Sequence, residues 1–229
     1  MKLASLFSGG KDSAFAIYSA QKLGHQVTCL LTVMPSSDDS HLLHHPNVSW
    51  TKLQSELMNI PQLVGSVKTI DTDSELLVLE ELLQKAKDVF DIEGLVHGGI
   101  ASNFQKEKFE KLCKKLDLQS VAPLWHREPR EYLNTLLDNR FEFIITSVSS
   151  DGLDDGWLGK AITSEDLLIL ENLSKKFGFN LNFEGGEAET FVTCCPLFSK
   201  CIKIHEGKKI WDGYRGRFEI VDAGVNNNA

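Results

Sequence analysis

The 229-residue chain lacks a positive charge excess, a long apolar run, paired cysteines and any internal repeat, and each absence removes a class of function. Lys plus Arg number 24 against 32 Asp plus Glu, leaving a formal charge of −8. Nucleic-acid affinity rests largely on Lys and Arg releasing condensed counterions, so an acidic chain argues against a nucleic-acid partner. The densest basic stretch, Lys106, Lys108, Lys111, Lys114 and Lys115, is interleaved with Glu107 and Glu110 and reads as a solvated helix face. No apolar run approaches the ~20 residues of a membrane span. The chain enters an apolar strand at once, with no signal-peptide pattern, so the expectation is a cytoplasmic protein with no membrane partner. Five cysteines form no C-x-x-C pair, which argues against zinc and iron–sulfur sites. Each is expected to be a small buried hydrophobe or a free thiol. The Cys194, Cys195, Cys201 group would hold a metal only if the fold added a further ligand.

What is present begins at Ser8. Residues 8 to 13 read S-G-G-K-D-S, between the apolar run Leu3 to Phe7 and a helix-like stretch from Ala14 to Leu23. A strand ending in two glycines lets the backbone turn tightly, and the following helix points its positive end at the same spot. Ser8, Gly9, Gly10, Lys11, Asp12 and Ser13 therefore form a candidate phosphate site, with a tight unliganded turn as the plain alternative. The P-loop of kinases and GTPases needs four residues between its glycines, and here they are adjacent. The string resembles the S-G-G-x-D-S signature of the PP-loop ATPases. That resemblance implies a loop that holds the β,γ-pyrophosphate of ATP, so that attack falls on the α-phosphorus and releases AMP and pyrophosphate.

Strand and helix patterns alternate through the first half. Val27 to Met34 is β-branched and apolar, Asp73 to Phe90 shows helical spacing, and Gly94 to Gly99 reads as a short strand ending in glycines, with Gly98 and Gly99 as a second site of close approach. Ser102 and Gln105 open a further helix, and Val121 to Trp125 reads as a strand. This order predicts an α/β fold, a parallel sheet flanked by helices with its ligand crevice at the strands' carboxyl ends, of the HUP or PP-loop ATPase type that the resemblance implies. Residues 1–125 are expected to form the nucleotide-binding domain and 126–229 a smaller α/β substrate domain. In the latter the pattern predicts a helix around Arg130 to Leu137, a strand Phe141 to Val148, a helix Ser164 to Phe177, a strand Asn180 to Glu184, a hairpin turning at Glu206 and Gly207, and a strand Phe218 to Val221.

A second dense cluster is Glu184, Gly185, Gly186, Glu187, Ala188, Glu189 and Thr190. Three carboxylates in six residues repel one another unless cations, donors or ligand groups lie between them. Such a group binds Mg²⁺, orients an amine or ammonium, or takes a proton from an attacking nitrogen; a solvated acidic turn is the alternative. S-G-G-K-D-S at 8–13 paired with E-G-G-E-A-E-T-F at 184–191 resembles the diphthine ammonia ligases. Matches at Gly98 to Ser102, Leu124 with Trp125, Gly152 to Asp154, Trp157 to Gly159 and Cys195 to Phe198 extend the likeness along the chain.

The resemblance implies an enzyme that completes diphthamide on translation elongation factor 2. The diphthine carboxylate attacks ATP to give an acyl-adenylate, and ammonia displaces AMP to leave an amide. It further implies Mg²⁺, with Asp12 as its ligand or else as a helix N-cap. Glu187 and Glu189 would position ammonia or the trimethylammonium of diphthine. Glu184, Gly185, Gly186, Thr190, Asn103 and His44 would line the substrate pocket, although His44 by itself reads as an ordinary loop histidine.

Two departures stand out. Where the family pattern opens on glycine this chain has Phe183, and where the family has an aromatic it has Ala188. The segment often reading Y-M-Y-H is His41, Leu42, Leu43, His44. A ring lost beside a quaternary ammonium removes a cation–π contact of ~0.5–2 kcal/mol, for which Trp50 or Trp125 is the expected replacement. Other readings are a PP-loop enzyme that modifies tRNA or amidates a small carboxylate, and a non-catalytic ATP-binding module. No glutaminase nucleophile is visible at the N-terminus, so free ammonia is the expected nitrogen source.

Overall fold

Leu3 and Ala4 are wholly buried because their strand is the middle of a sheet, covered on both faces. In the computed structural model, which describes residues 1–34, 47–67 and 72–225, five parallel strands lie in the order β3 (Gln62–Ser66), β2 (Gln26–Met34), β1 (Lys2–Leu6), β4 (Gly94–Val96) and β5 (Gln119–Val121). Side chains alternate across a strand, so Ala4, Cys29, Leu31 and Val33 share one face. They meet Leu79, Leu83 and Ala86 of α3 (Thr72–Phe90) and Phe109 and Leu112 of α4 (Asn103–Lys115). Helix α1 (Lys11–Lys22) packs on β1, β2 and β4, and α2 (Thr51–Met58) follows a short 3-10 turn at Val48–Trp50. The expected parallel sheet flanked by helices is the fold observed.

The chain divides into two units, Met1–His126 and Arg127–Ala229. The second unit contains α5 (Pro129–Asp138), β6 (Glu142–Val148), α6 (Ser164–Phe177), β7 (Ala188–Cys194), β8 (Ile202–Trp211) and β9 (Gly216–Val225). Its strands form an antiparallel sheet in the order β7-β6-β9-β8. Tyr132, Leu133, Leu136, Phe141, Phe143, Leu170 and Phe191 are among its deeply buried side chains. Among the described residues no helix is long and apolar enough to cross a membrane.

Four expectations are corrected. Strand β5 ends at Val121 rather than running on to Trp125, because Pro123 has no N–H to pair and the Trp125 N–H closes a turn on the Ala122 carbonyl (3.2 Å). Asn180 to Glu184 is a turn; the strand begins at Ala188, so Glu189 and Thr190 belong to β7. Glu206 and Gly207 are no hairpin turn but register shifts inside the continuous β8, and the true turn is at 212–215, where Asp212 Oδ1 accepts the Tyr214 and Arg215 N–H groups. Cys194 and Cys201, expected as thiols, are joined in a disulfide, whereas Cys29, Cys113 and Cys195 are buried thiols. Among the described residues no group of three or more His, Cys, Asp or Glu is placed to hold a metal ion.

Candidate functional site

The loop after β1 is shaped by backbone and closed by its own hydroxyls. Gly9 stands at φ +83° and Gly10 is the N-cap of α1, with no side chain capping that helix. A helix leaves its first N–H groups unpaired and its N-terminus positive, which is the elementary requirement for holding phosphate. Ser13 Oγ donates to the Gly10 carbonyl at 3.1 Å and accepts from the Ser8 N–H at 3.3 Å and the Ser8 hydroxyl at 3.2 Å. Both serines therefore clasp the loop across five residues. Lys11 is 2% exposed, and its Nζ lies 2.8 and 3.0 Å from the two carboxylate oxygens of Asp12, which is 34% exposed. A buried ammonium needs such a partner. Asp12 thus stands in the first turn of α1 as the counter-ion of Lys11, while Gly10 occupies the N-cap.

The loop rests on a polar network that sequence reading did not find. Gln54 of α2 is wholly buried and donates from Nε2 to the Gly9 carbonyl at 3.0 Å. Behind it, Gln62 Nε2 donates to Thr51 Oγ1 (2.8 Å) and Thr32 Oγ1 (2.7 Å), and Thr32 donates to the Phe7 carbonyl (2.8 Å). The signal was slight, a polar helix of eight residues with no apolar stripe.

Strands β2 and β4 lie on opposite sides of β1, so the crevice at the carboxyl end of β1 is the topological switch point of the sheet. The loop after β4 enters it. A Cβ on Gly98 would stand 2.6 to 2.8 Å from Asp12 and Ser13 backbone atoms, so glycine there lets β4's loop press against the start of α1. The Gly99 N–H turns to His97 Nδ1 (3.3 Å), while His97 Nε2 meets Ser120 Oγ (3.3 Å), an arrangement that selects the neutral Nε2–H tautomer. Burial, with the Lys106 ammonium, pushes the His97 pKa down to about 4. Asn103 is the exposed first residue of α4, whose N-cap Ser102 accepts the Gln105 N–H at 3.4 Å. His44 lies outside the described residues.

The glutamate-rich turn belongs to the second unit. Phe183 holds φ +65°, a left-handed conformation that costs a side chain about 1–2 kcal/mol, yet its ring is buried against Phe179 at 6.3 Å. Gly186 (φ +80°) completes the turn, and its carbonyl accepts Ser149 Oγ at 2.6 Å. Glu187 Oε1 accepts the Asn180 N–H at 2.9 Å, and its buried Oε2 meets no hydrogen-bond donor. Glu184 and Glu189 are half-buried, Gly185 is exposed, and Thr190 and Ala188 are buried on β7. Glu187 and Gly185 line a cavity of about 240 Å³ together with Asp151, Phe177, Phe179 and Tyr214.

Residues 1–120 match the diphthamide synthase N-terminal domain and residues 128–225 the diphthamide synthase C-terminal domain. The chain belongs to the diphthamide synthase family. Its relatives include the diphthine–ammonia ligase of Bos taurus, 33% identical over 228 residues covering 92% of this chain and 85% of that one. The diphthine–ammonia ligases of Rattus norvegicus and Homo sapiens are 34% and 32% identical with the same coverage. Membership in the diphthamide synthase family makes the Phe183 departure intelligible. The backbone keeps the left-handed geometry that glycine adopts freely, and this chain places a buried ring there instead. Ala188 pairs with Val148 and is buried, so its side chain does not stand at the cavity. Trp125 carries Lys106 Nζ over its ring at 4.4 Å; the rings beside Glu187 are Phe177, Phe179 and Tyr214.

Proposed function

We propose that the protein is a diphthine–ammonia ligase that uses ATP to convert the diphthine carboxylate of translation elongation factor 2 to an amide in the cytoplasm. The observation that carries this reading is the family match across both units, joined to an uncapped helix N-terminus at the switch point of the first. A diphthine carboxylate oxygen attacks the α-phosphorus, the bond from that phosphorus to the β-bridging oxygen breaks, and pyrophosphate leaves with the electron pair. Ammonia then adds to the acyl carbon, AMP departs, and the nitrogen gives up a proton. The α1 N-terminus, with Gly9, Gly10 and Lys11, takes the growing charge of pyrophosphate, so catalysis at this step is positioning and charge stabilisation. Ser8 and Ser13 keep the loop in shape, Gly98 brings the β4 loop to the same point, and Gly99 beside it is assigned to the nucleotide as well. Glu187 and Glu189 supply carboxylates for the cationic end of the substrate and for the ammonia nitrogen; Glu184, Gly185, Gly186 and Thr190 of the same segment, and separately Asn103 and His44, are assigned to substrate binding.

Magnesium held with a nucleotide needs one or two carboxylates besides phosphate oxygens and water, not a protein cage. Asp12 fits that requirement, being a partly exposed carboxylate beside the uncapped helix end. Bound Mg²⁺ would offset triphosphate charge there.

The test is product analysis with purified protein, ATP, Mg²⁺, ammonium and diphthine-bearing elongation factor 2. AMP, pyrophosphate and the carboxylate-to-amide mass change are expected; ADP would contradict the mechanism. Release that depends on tRNA would place the protein among tRNA-modifying enzymes, and ATP binding without turnover would leave a binding module. Lys11→Ala and Asp12→Ala should abolish turnover. Glu187→Ala should keep ATP affinity and lose amide formation.

A further inference from the structure

The loop that follows β4 reaches the start of α1 through backbone alone, and one buried side chain sets its shape. A Cβ on Gly98 would stand 2.6 Å from the Asp12 carbonyl carbon and 2.8 Å from the Ser13 nitrogen. Backbone faces backbone there, so neither side can relieve a shift by rotating a side chain, and a displacement of Gly98 passes to the Asp12–Ser13 peptide. The first bond inside α1 runs from the Ala14 N–H to the Gly10 carbonyl (3.1 Å), so the Ser13 N–H belongs to the turn that a helix leaves open to an anion. The next residue of the β4 loop, Gly99, directs its N–H onto His97 Nδ1 at 3.3 Å. His97 thereby closes a three-residue turn whose middle residue is the glycine that touches α1.

The His97 ring is held in one orientation. It is 1% exposed, its Nε2 meets Ser120 Oγ of β5 at 3.3 Å, and the Phe109 ring of α4 lies 5.0 Å away, tilted by 59°. The His97 backbone N–H donates to the Val121 carbonyl at 3.1 Å, which fixes the chain where the strand ends. Burial and the Lys106 ammonium keep the imidazole neutral at physiological pH, so Nδ1 retains the lone pair that accepts the Gly99 N–H. A histidine that only filled the core would need neither contact; here one ring nitrogen is committed to the neighbouring strand and the other to the loop. We propose that His97 is a positioning residue for the nucleotide: through the Gly99 N–H it holds Gly98 against the Asp12–Ser13 peptide and so fixes the N–H groups of α1 that take the pyrophosphate. This role rests on the nucleotide site assigned above, and His97 itself does not touch the ligand.

Three substitutions separate the positioning contact from packing. The asparagine Oδ1 takes the place of Nδ1, so His97→Asn keeps an acceptor for the Gly99 N–H and loses Ser120. The glutamine amide nitrogen takes the place of Nε2, so His97→Gln keeps Ser120 and loses Gly99, and His97→Leu loses both. Kd for ATP with Mg²⁺ is measured by calorimetry on the full chain, and stability by urea unfolding. His97→Asn and His97→Gln each give up one hydrogen bond, so their unfolding midpoints should fall alike. Their ATP affinities should part: Kd stays near the wild-type value in His97→Asn and rises about tenfold in His97→Gln and His97→Leu. In turnover, His97→Gln should raise KM for ATP and leave KM for the diphthine-bearing protein unchanged. If His97→Leu does not fold, the contrast of Asn with Gln decides. Equal ATP affinity in those two variants, at the wild-type level or below it, overturns the inference and leaves His97 a packing residue. If the affinities part as expected while the wild type releases no AMP, the positioning role stands and the ligase reading falls. AMP release by the wild type with equal affinities in the two variants gives the reverse outcome.

Discussion

At the scale of single residues, the candidate phosphate loop depends on groups that do not touch a ligand. Gln54 is the clearest case, because one buried amide fixes the carbonyl of the glycine whose left-handed turn begins the loop. Replacing it with Leu keeps most of the volume and removes the donor. An unsatisfied buried carbonyl costs about 1–3 kcal/mol, so Gln54→Leu should lower unfolding free energy by that amount in urea. If the loop shape is what Gln54 maintains, Kd for ATP should also rise by about tenfold, equivalent to ~1.4 kcal/mol. Lost stability with unchanged ATP affinity would make Gln54 a packing residue and nothing more. Phe183 shows the opposite economy. Burying a large ring is worth about 3–5 kcal/mol against truncation, more than the 1–2 kcal/mol of left-handed backbone, so the ring wins and the turn persists without glycine.

Among the elements, those with punctuation or a clear apolar period were legible, and strands that open on or run through turn-forming polar residues were not. Helix α6 was readable to the residue, since Thr163 and Asp166 form a reciprocal capping box and Gly178 closes the helix in the left-handed region. The strand–glycine–helix order around S-G-G-K-D-S fixed β1 and α1 because a parallel strand buried on both faces is uniformly apolar. Strand β7 escaped notice because it opens with Ala188, Glu189 and Thr190, a polar start that follows directly on a Gly-Gly turn. Strand β8 looked like a hairpin because Glu206 and Gly207 carry turn chemistry, yet in the structure they mark bulges against β9. Side-chain placement around Gln54 and the rings of the cavity depends on contacts distant in sequence, which no local pattern encodes. The β7–β8 link adds a test of its own. Closing a span of seven residues by a disulfide stabilises by roughly 2 kcal/mol in the chain-entropy treatment. Denatured without reductant, the chain should expose three titratable thiols, and with reductant five, accompanied by a lower melting temperature. Five thiols without reductant would show the pair reduced as isolated.

For the whole molecule, the two units should answer acid in different ranges. In the first, His97 is held neutral, its pKa lowered from 6.5 to about 4 by burial and by the Lys106 charge. The unfolded chain therefore takes up this proton before the folded one does, so stability is lost as pH falls from about 6.5 and the loss levels off near 4. At ~1.4 kcal/mol per unit the full effect is about 3 kcal/mol. In the second unit, Asp166 is subject to burial, which would raise its pKa, but hydrogen bonds from Lys160 and Thr163 outweigh this and hold it below the ordinary carboxylate value. Its contribution is present at neutral pH and fades only as pH falls below about 3.8, and the shifts of Glu165, Glu171 and Asp212 have the same sign. Tryptophan reports on each unit separately, with Trp50 and Trp125 in the first and Trp157 and Trp211 in the second. Variants keeping one pair, with Phe at the other, should show the urea midpoint of the first unit dropping between pH 7 and pH 5 while that of the second holds. His97→Gln should remove this drop; a drop of the same size in that variant would assign the acid sensitivity to another group.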